Sequence, residues 1–268
     1  MWRMMAKTAF LWCYVYLWAP LRNLWRSLSG TSHATVLLYH RVCDESLDSV
    51  TVKTSQFQRQ LNILGRGYQI VSMEQFLRSR GLPRRRTWVV LTFDDGYQDN
   101  HAAARLLREA RIPCTFFVST GIVGTSRGFP LDARLKRRIP VLSWEQVREM
   151  SVWGFGIANH SVSHVDMGKA GIEESLAEIR QASVNLVMQL GAIGPEKWFA
   201  YPFGRPENIS EAVRDRLGAL GIDYCFSAYG GTNPPDFDPL DIMRQGVNHT
   251  FSDLAFRSVI EGYRVRAR

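Results

Sequence analysis

Cysteine is scarce in this chain, and where it occurs it forms no pattern. The four cysteines, Cys13, Cys43, Cys114 and Cys225, are widely spaced and include no Cys-x-x-Cys pair. That excludes a zinc knuckle and leaves no demand for a disulfide framework, which fits a cytoplasmic setting without fixing it. No internal repeat or low-complexity tract is present. With 268 residues, 46% of them hydrophobic, the chain reads as one domain with a sizeable core. An apolar run of about 20 residues, the length a spanning helix needs, is also missing. No recognisable nucleic-acid module accompanies the net charge of +8. Histidine is sparse too, six in all, so any two at ligand spacing stand out.

What the N-terminus does have is an uncharged, aromatic-rich run from Thr8 to Leu21, flanked by Arg3, Lys7, Arg22 and Arg26. No small-residue cleavage site follows at Trp18-Ala19-Pro20-Leu21. Basic flanks and tryptophans suit an apolar, amphipathic helix lying in a bilayer interface, so residues 1–30 are read as a membrane-associating segment and residues 31–268 as the main folded domain. A soluble helix packed on the domain is the alternative, and a tilted or re-entrant span stays open. Arg84, Arg85 and Arg86 form one basic cluster; Arg134, Lys136, Arg137 and Arg138 form another, inside a Gly-, Ser- and Pro-containing insertion, residues 121–140. That insertion reads either as a solvated loop or as a cover over the active-site mouth that meets anionic lipid or a phosphorylated glycan.

Beyond the N-terminus the pattern alternates between short apolar or β-branched runs and amphipathic stretches. Strands are expected at Val36–Val42, Gln69–Met73, Trp88–Phe93, Cys114–Ser119, Gly156–Asn159, Trp198–Pro202, Tyr224–Ala228 and Ile242–Val247. Helices are expected at Asp99–Ala110, Trp144–Met150 and Ile172–Leu190, with another opening at Pro206-Glu207-Asn208. Repeated β-α units predict an α/β fold built on a parallel sheet or barrel.

The run Trp88–Leu91 leads into Thr92-Phe93-Asp94-Asp95-Gly96-Tyr97, two adjacent carboxylates at a strand end. Neighbouring buried acids are costly unless a cation or a proton separates their roles. His160-Ser161-Val162-Ser163-His164 offers two imidazoles at i and i+4, a helical spacing that lets them face one point. Alone, the first reads as a turn and the second as two ordinary histidines. Together they supply ligands and a base for one catalytic metal.

These two segments resemble the first two signature motifs of the polysaccharide deacetylases, the NodB-homology family of carbohydrate esterases. Thr115-Phe116-Phe117-Val118 and Leu142-Ser143-Trp144-Glu145-Gln146 are similar to further family segments, and Phe199-Ala200-Tyr201-Pro202-Phe203-Gly204 resembles the third motif. The resemblance runs from about Val36 to about Val247. It implies a distorted (β/α)7-type barrel. It also implies that Asp95, His160 and His164 hold a divalent metal, with Asp94 as general base; spacing alone cannot order the two aspartates. Zinc suits such a donor set best, with cobalt, nickel or iron as alternatives. Backbone around Phe203 is expected to hold the oxyanion, and Tyr201 and Phe203 to form either an acyl-facing wall or core. Two histidines compete as general acid: His40, in a Tyr-His segment like that of one family branch, is favoured over His249.

The chain departs from the family at Ala200, where many relatives have an arginine that orients the base; Arg244 or Arg205 is a candidate substitute. Gly156 and Ala158 also depart, and no late Asp-Trp motif occurs, Asp223-Tyr224-Cys225 being nearest. The expected activity is removal of an N-acetyl group from an amino sugar of a polysaccharide or lipid-linked glycan, at the cytoplasmic face of a bacterial inner membrane, with no nucleic-acid partner. Deformylation, O-acetyl ester hydrolysis, or a catalytically dead carbohydrate-binding barrel are the alternatives.

Overall fold

The apolar run Trp88–Phe93 is buried along nearly its whole length because it lies in the middle of a parallel sheet. In the computed structural model, which describes residues 2–45, 48–129, 132, 135, 138–191 and 197–263, this strand is β5. It pairs in parallel with β1 (Ala34–Tyr39) over six residues, from Ala34 opposite Trp88 to Tyr39 opposite Phe93. The sheet continues through β6 (Thr115–Val118), β7 (Gly156–Asn159), β8 (Trp198–Ala200) and β9 (Tyr224–Phe226), while β10 (Arg244–Gly246) pairs with the other side of β1. A parallel bridge from Phe226 to Ile242 brings the two edges together, so the seven-strand path nearly closes into a barrel. The short β4 (Gln69–Ile70) adds to the first half of β5, and β2 (Arg41–Val42) pairs with β3 (Thr51–Val52) at the rim. The expected distorted (β/α) barrel is what forms.

Alternation along the strands separates two cores. Val36, Val90, Phe117, Ala158, Ala200 and Phe226 form a cluster filling the barrel. Leu37, Leu91, Phe116 and Ile157 face outward into a larger cluster against α3 (Thr54–Gly67), α5 (Asp99–Glu109), α6 (Trp144–Val152) and α9 (Asp253–Ile260). A third cluster packs α7 (Ile172–Leu190) and α8 (Glu211–Arg214) on Phe199 and Cys225. Local chemistry moved some boundaries. The expected strand Gln69–Met73 stops at Ile70, because Ser72 and Gln75 form a capping box that starts α4 (Met73–Arg78). The expected Val36–Val42 strand breaks at His40. Pro206–Asn208 makes a 3-10 turn.

The N-terminal segment is helical: α1 (Trp2–Cys13), a π turn (Tyr14–Trp18) and α2 (Ala19–Ser29), stopped by Gly30 at φ 71°. A side chain at Gly30 would collide with Pro83, its Cβ 2.8 Å from that residue's Cβ. Leu11, Val15 and Ala19 are buried at successive fourth positions. Tyr14 Oη donates to the Glu261 carbonyl, and Arg22 pairs with the Glu261 carboxylate at 2.8 Å. One face therefore packs on the end of α9, while the other is exposed. Among the described residues no helix is long and apolar enough to cross a membrane. The expected basic cluster at 84–86 divides: Arg84 is buried, donates to the carbonyls of Asn233 and Pro234, and stacks near Phe76 and Trp88. Of the other cluster, Arg134, Lys136 and Arg137 lie outside the described residues.

His33 joins this helix to the barrel. Its Nδ1 accepts from Arg26 at 2.7 Å, since a guanidinium only donates, and its Nε2–H donates to the Ile260 carbonyl at 3.1 Å. Burial pulls its pKa from 6.5 to about 4, with Arg26 adding to the shift and the Ile260 bond opposing it. The folded state therefore holds a neutral ring. Its stabilisation is complete above the unfolded value near 6.5 and is lost as pH falls towards 4. Urea melts at pH 7 and pH 4 should show the wild type losing on the order of 3 kcal/mol more than His33→Gln, which cannot titrate.

Candidate metal and catalytic site

Asp94 and Asp95 sit at the C-terminal end of β5, where Asp94 continues the inward-facing row of Val90 and Thr92. Its N–H donates to the Tyr39 carbonyl at 3.0 Å, extending the β1–β5 ladder by one residue. The chain then turns sharply: Asp95 has φ 77° and Gly96 φ 99°. A Cβ at Gly96 would lie 2.7 Å from Val123 Cγ2, so only glycine fits there. The turn aims the Asp95 carboxylate across the barrel mouth while Asp94 stays inside it.

The histidines come from the loop after β7, and this loop is not helical. Ser161 and His164 take the left-handed conformation, φ 63° and 60°, so the i,i+4 spacing works here through a tight loop rather than a helix face. Asn159 accepts from the Ser161 N–H at 2.8 Å and donates to the Ile179 carbonyl and Ser183. Glu178 of α7 receives the N–H groups of Val162 and Ser163 at 2.9 and 2.7 Å. Ser161 Oγ accepts the His164 N–H. Left-handed backbone at non-glycine residues costs on the order of 1–3 kcal/mol each, and these bonds hold it.

The result is convergence on one oxygen. His164 Nε2 lies 3.2 Å and His160 Nε2 3.4 Å from Asp95 Oδ1, and all three residues are buried. The donor atoms lie within 4.8 Å of one another. His160 Nδ1 is 2.8 Å from the Ala200 carbonyl, which can only accept, so Nδ1 carries the proton and the Nε2 lone pair faces Asp95. Asp95 Oδ1 and His164 Nδ1 are buried without a hydrogen-bond partner. One carboxylate oxygen orphaned between two imidazoles is the donor set a divalent cation would satisfy, so the residues fit the metal that the motifs imply. Burial pushes Asp95 upward, but His160 and His164 outweigh it and hold the carboxyl well below its usual range. Burial opposes protonation of His160, yet Asp94 and Asp95 raise its pKa overall.

Asp94 is held separately. Arg244 of β10 donates to both of its oxygens at 2.6 Å, Nη1 to Oδ1 and Nη2 to Oδ2, and sends Nε to the Ser227 carbonyl. Of the two candidate substitutes for the arginine absent at Ala200, Arg244 makes the contact; Arg205 is exposed, 3.9 Å from Glu207. His40 follows β1, half-buried and near enough to Asp95 to affect its charge, with Nδ1 lacking a partner. His249 is exposed, its ring bonded to the Ser49 carbonyl rather than to any member of the cluster. Tyr201 is 1% exposed and packs edge-on to Phe199 in the core beneath α7, which removes its ring from any acyl-facing wall. Phe203, at φ 61° and 36% exposed, stands edge-on to His164 at 4.8 Å.

Sequence reasoning missed Phe129, whose ring lies edge-on to His164 at 5.4 Å. It lies tilted against Tyr97 at 4.9 Å, so the described part of the insertion reaches the site through an aromatic. Asn159 and Glu178 were missed as well; nothing in their spacing marks them as props for the histidine loop. Arg41, fully buried under the Tyr97 ring with Asp48, Asp99 and Asp132 around it, braces the same rim.

Comparison with known proteins bears on this arrangement. The polysaccharide deacetylase family profile matches residues 82–225. YxkH of Bacillus subtilis strain 168, named for the same family, is 24% identical over 247 residues, covering 89% of this chain and 80% of that protein. The Streptococcus pyogenes deacetylase PplD, solved with acetate, superposes with a TM-score of 0.70 at 22% identity over 86% of this chain and 99% of its own. IcaB from Ammonifex degensii gives 0.70 at 23% identity, covering 85% and 96%. These structures share the fold. The profile match spans more than half of the chain and includes the Asp94-Asp95 turn and the His160–His164 loop: this chain belongs to the polysaccharide deacetylase family.

Proposed function

We propose that this chain is a metal-dependent carbohydrate N-deacetylase, acting on an N-acetylated amino sugar within a glycan. The observation that carries the reading is the separation of two adjacent aspartates into two environments: Asp95 faces His160 and His164, while Asp94 is clamped by Arg244. A divalent ion, zinc being the best match to one carboxylate and two imidazoles, would be held by Asp95, His160 and His164, and when bound it supplies Lewis acidity towards water and the acyl carbonyl. Asp94 accepts the proton of the attacking water; the bidentate Arg244 fork fixes its orientation. His40 donates a proton to the leaving amine, and the N–H groups around Phe203 receive the charge that develops on the acyl oxygen. Phe203 and Phe129, both edge-on to His164, give the acyl methyl an apolar wall. The acetate in the related PplD structure is the product such a reaction releases. Between a free polymer and a glycan held at a membrane, nascent or lipid-linked, the basic, aromatic N-terminus favours the latter, at the cytoplasmic face.

The test is metal content beside acetate release from an N-acetylglucosamine oligosaccharide. The wild type should bind about one divalent ion per chain and release acetate. His164→Ala should lose both; Asp94→Asn should keep the ion and lose about 10²–10⁴-fold in kcat. No ion in the wild type after zinc addition would overturn the hydrolase reading, and release of formate but not acetate would reassign the acyl group.

Arg244 and His40 generate two further expectations. Arg244→Met leaves Asp94 buried and unpaired, so it should cost about 3–5 kcal/mol in urea melts. Arg244→Lys should be milder in stability and still lower kcat, with metal content unchanged. For the acid, His40→Gln should lower kcat about 10²-fold with metal content unchanged, while His249→Gln leaves kcat as it is.

A further inference from the structure

The helix at the N-terminus presents a surface that the barrel does not use. Of the seventeen large hydrophobic side chains that are exposed among the described residues, ten lie between Met5 and Leu28. That concentration is far from the scattered exposure of an ordinary surface. Along α2 they follow one stripe: Trp18, Leu21, Trp25 and Leu28 recur at intervals of three and four, with Leu24 beside them. The opposite face, through Ala19, Asn23 and Arg26, makes the contacts to Glu261 and His33. The stripe therefore points away from the protein.

Positive charge surrounds it. A cleft of about 610 Å³ opens between α2, the end of α3 and the start of β5, lined by Asn23, Arg66, Arg85 and Arg86 among others. All three arginines are exposed, and the Glu261 carboxylate in the cleft is already engaged by Arg22 and Asn23. Arg85 donates to the Ser27 carbonyl, which places its guanidinium beside the apolar stripe. Lys7 is exposed on α1. An apolar stripe containing two tryptophans beside a group of arginines complements one kind of surface, a bilayer rich in anionic headgroups. A symmetric pairing of two copies through the same face would bring these like charges together, which disfavours it.

We propose that this face docks the chain on an anionic bilayer, Trp18, Leu21, Trp25 and Leu28 entering the interface while Arg66, Arg85 and Arg86 meet lipid phosphates. The contacts of the helix are with His33, Glu261 and Tyr263, at the N-terminal ends of the strands. Asp94 and Asp95 are at the C-terminal ends, six residues of β5 away. At about 3.3 Å per residue the catalytic mouth stands on the order of 20 Å from the docked face and opens away from the lipid. A single sugar at the bilayer surface would not reach it; a glycan extending several residues would.

Co-sedimentation of the full chain with vesicles decides the matter. Phosphatidylcholine vesicles containing about 30% phosphatidylglycerol should bind it at least tenfold more strongly than phosphatidylcholine alone at low salt. Arg85→Glu with Arg86→Glu should remove that preference, and Leu21→Ser with Trp25→Ser and Leu28→Ser should lower the partition coefficient at least tenfold on both vesicle types. Circular dichroism melts and acetate release from a soluble oligosaccharide report that the variants are folded and separate this proposal from the chemistry above. Wild-type protein that stays in the supernatant with both vesicle types would overturn it. So would a dimer in gel filtration that the Leu21, Trp25 and Leu28 substitutions convert to monomer without any vesicle binding, which would make the face a self-association surface.

Discussion

The ion pair between Arg244 and Asp94 is the constraint on which the rest of the catalytic end depends. It is buried on both sides and spans from β10 to β5 across β1. Removing two charges from water costs several kcal/mol each, so such a pair survives only when its geometry is good and its remaining donors are used. Both conditions hold: the fork is bidentate, Nε goes to the Ser227 carbonyl, and the guanidinium lies over the Phe117 ring at 5.1 Å. The pair ties the strands nearest the open edge of the barrel to its centre. It also holds Asp94 at 3.8 Å from His160, leaving Asp95 as the aspartate nearest to both histidines.

Around that pair the backbone stores strain where the chemistry is. Asp95, Ser161, His164 and Phe203 are four of the five non-glycine residues with positive φ among the described residues. Three of the four lie in or beside the loops bearing Asp95, His160 and His164, and Phe203 packs on His164. The histidine loop borrows Asn159 and Glu178 to satisfy its N–H groups.

Much of this was legible in the chain. The strand Trp88–Phe93, the strand Gly156–Asn159 and the helix Ile172–Leu190 were readable to the residue because their burial is uniform or strictly periodic. Asp94, Asp95, His160 and His164 announce themselves because two acids and two sparse histidines at those spacings have few other uses. Arg244 could be named only as one of two candidates, since its partner is 150 positions away. Tyr201 read equally as wall or core; its place is set by α7, which packs over it. Phe129 carried no signal at all, because its meaning depends on where a long insertion folds back.

The sequence by itself determined the alternating β/α architecture, the donor types and the amphipathic character of the N-terminus, because these follow from local periodicity and from the chemistry of single side chains. Only the tertiary structure decided which arginine holds Asp94, that the histidines converge through a left-handed loop, that Arg84 is a buried strut while Arg85 and Arg86 are exposed, and that the apolar stripe and the Asp-His-His cluster lie at opposite ends of the barrel. Each of those depends on closing a parallel sheet, which brings residues far apart in the chain into hydrogen-bonding distance, and no local pattern encodes how that closure aligns them.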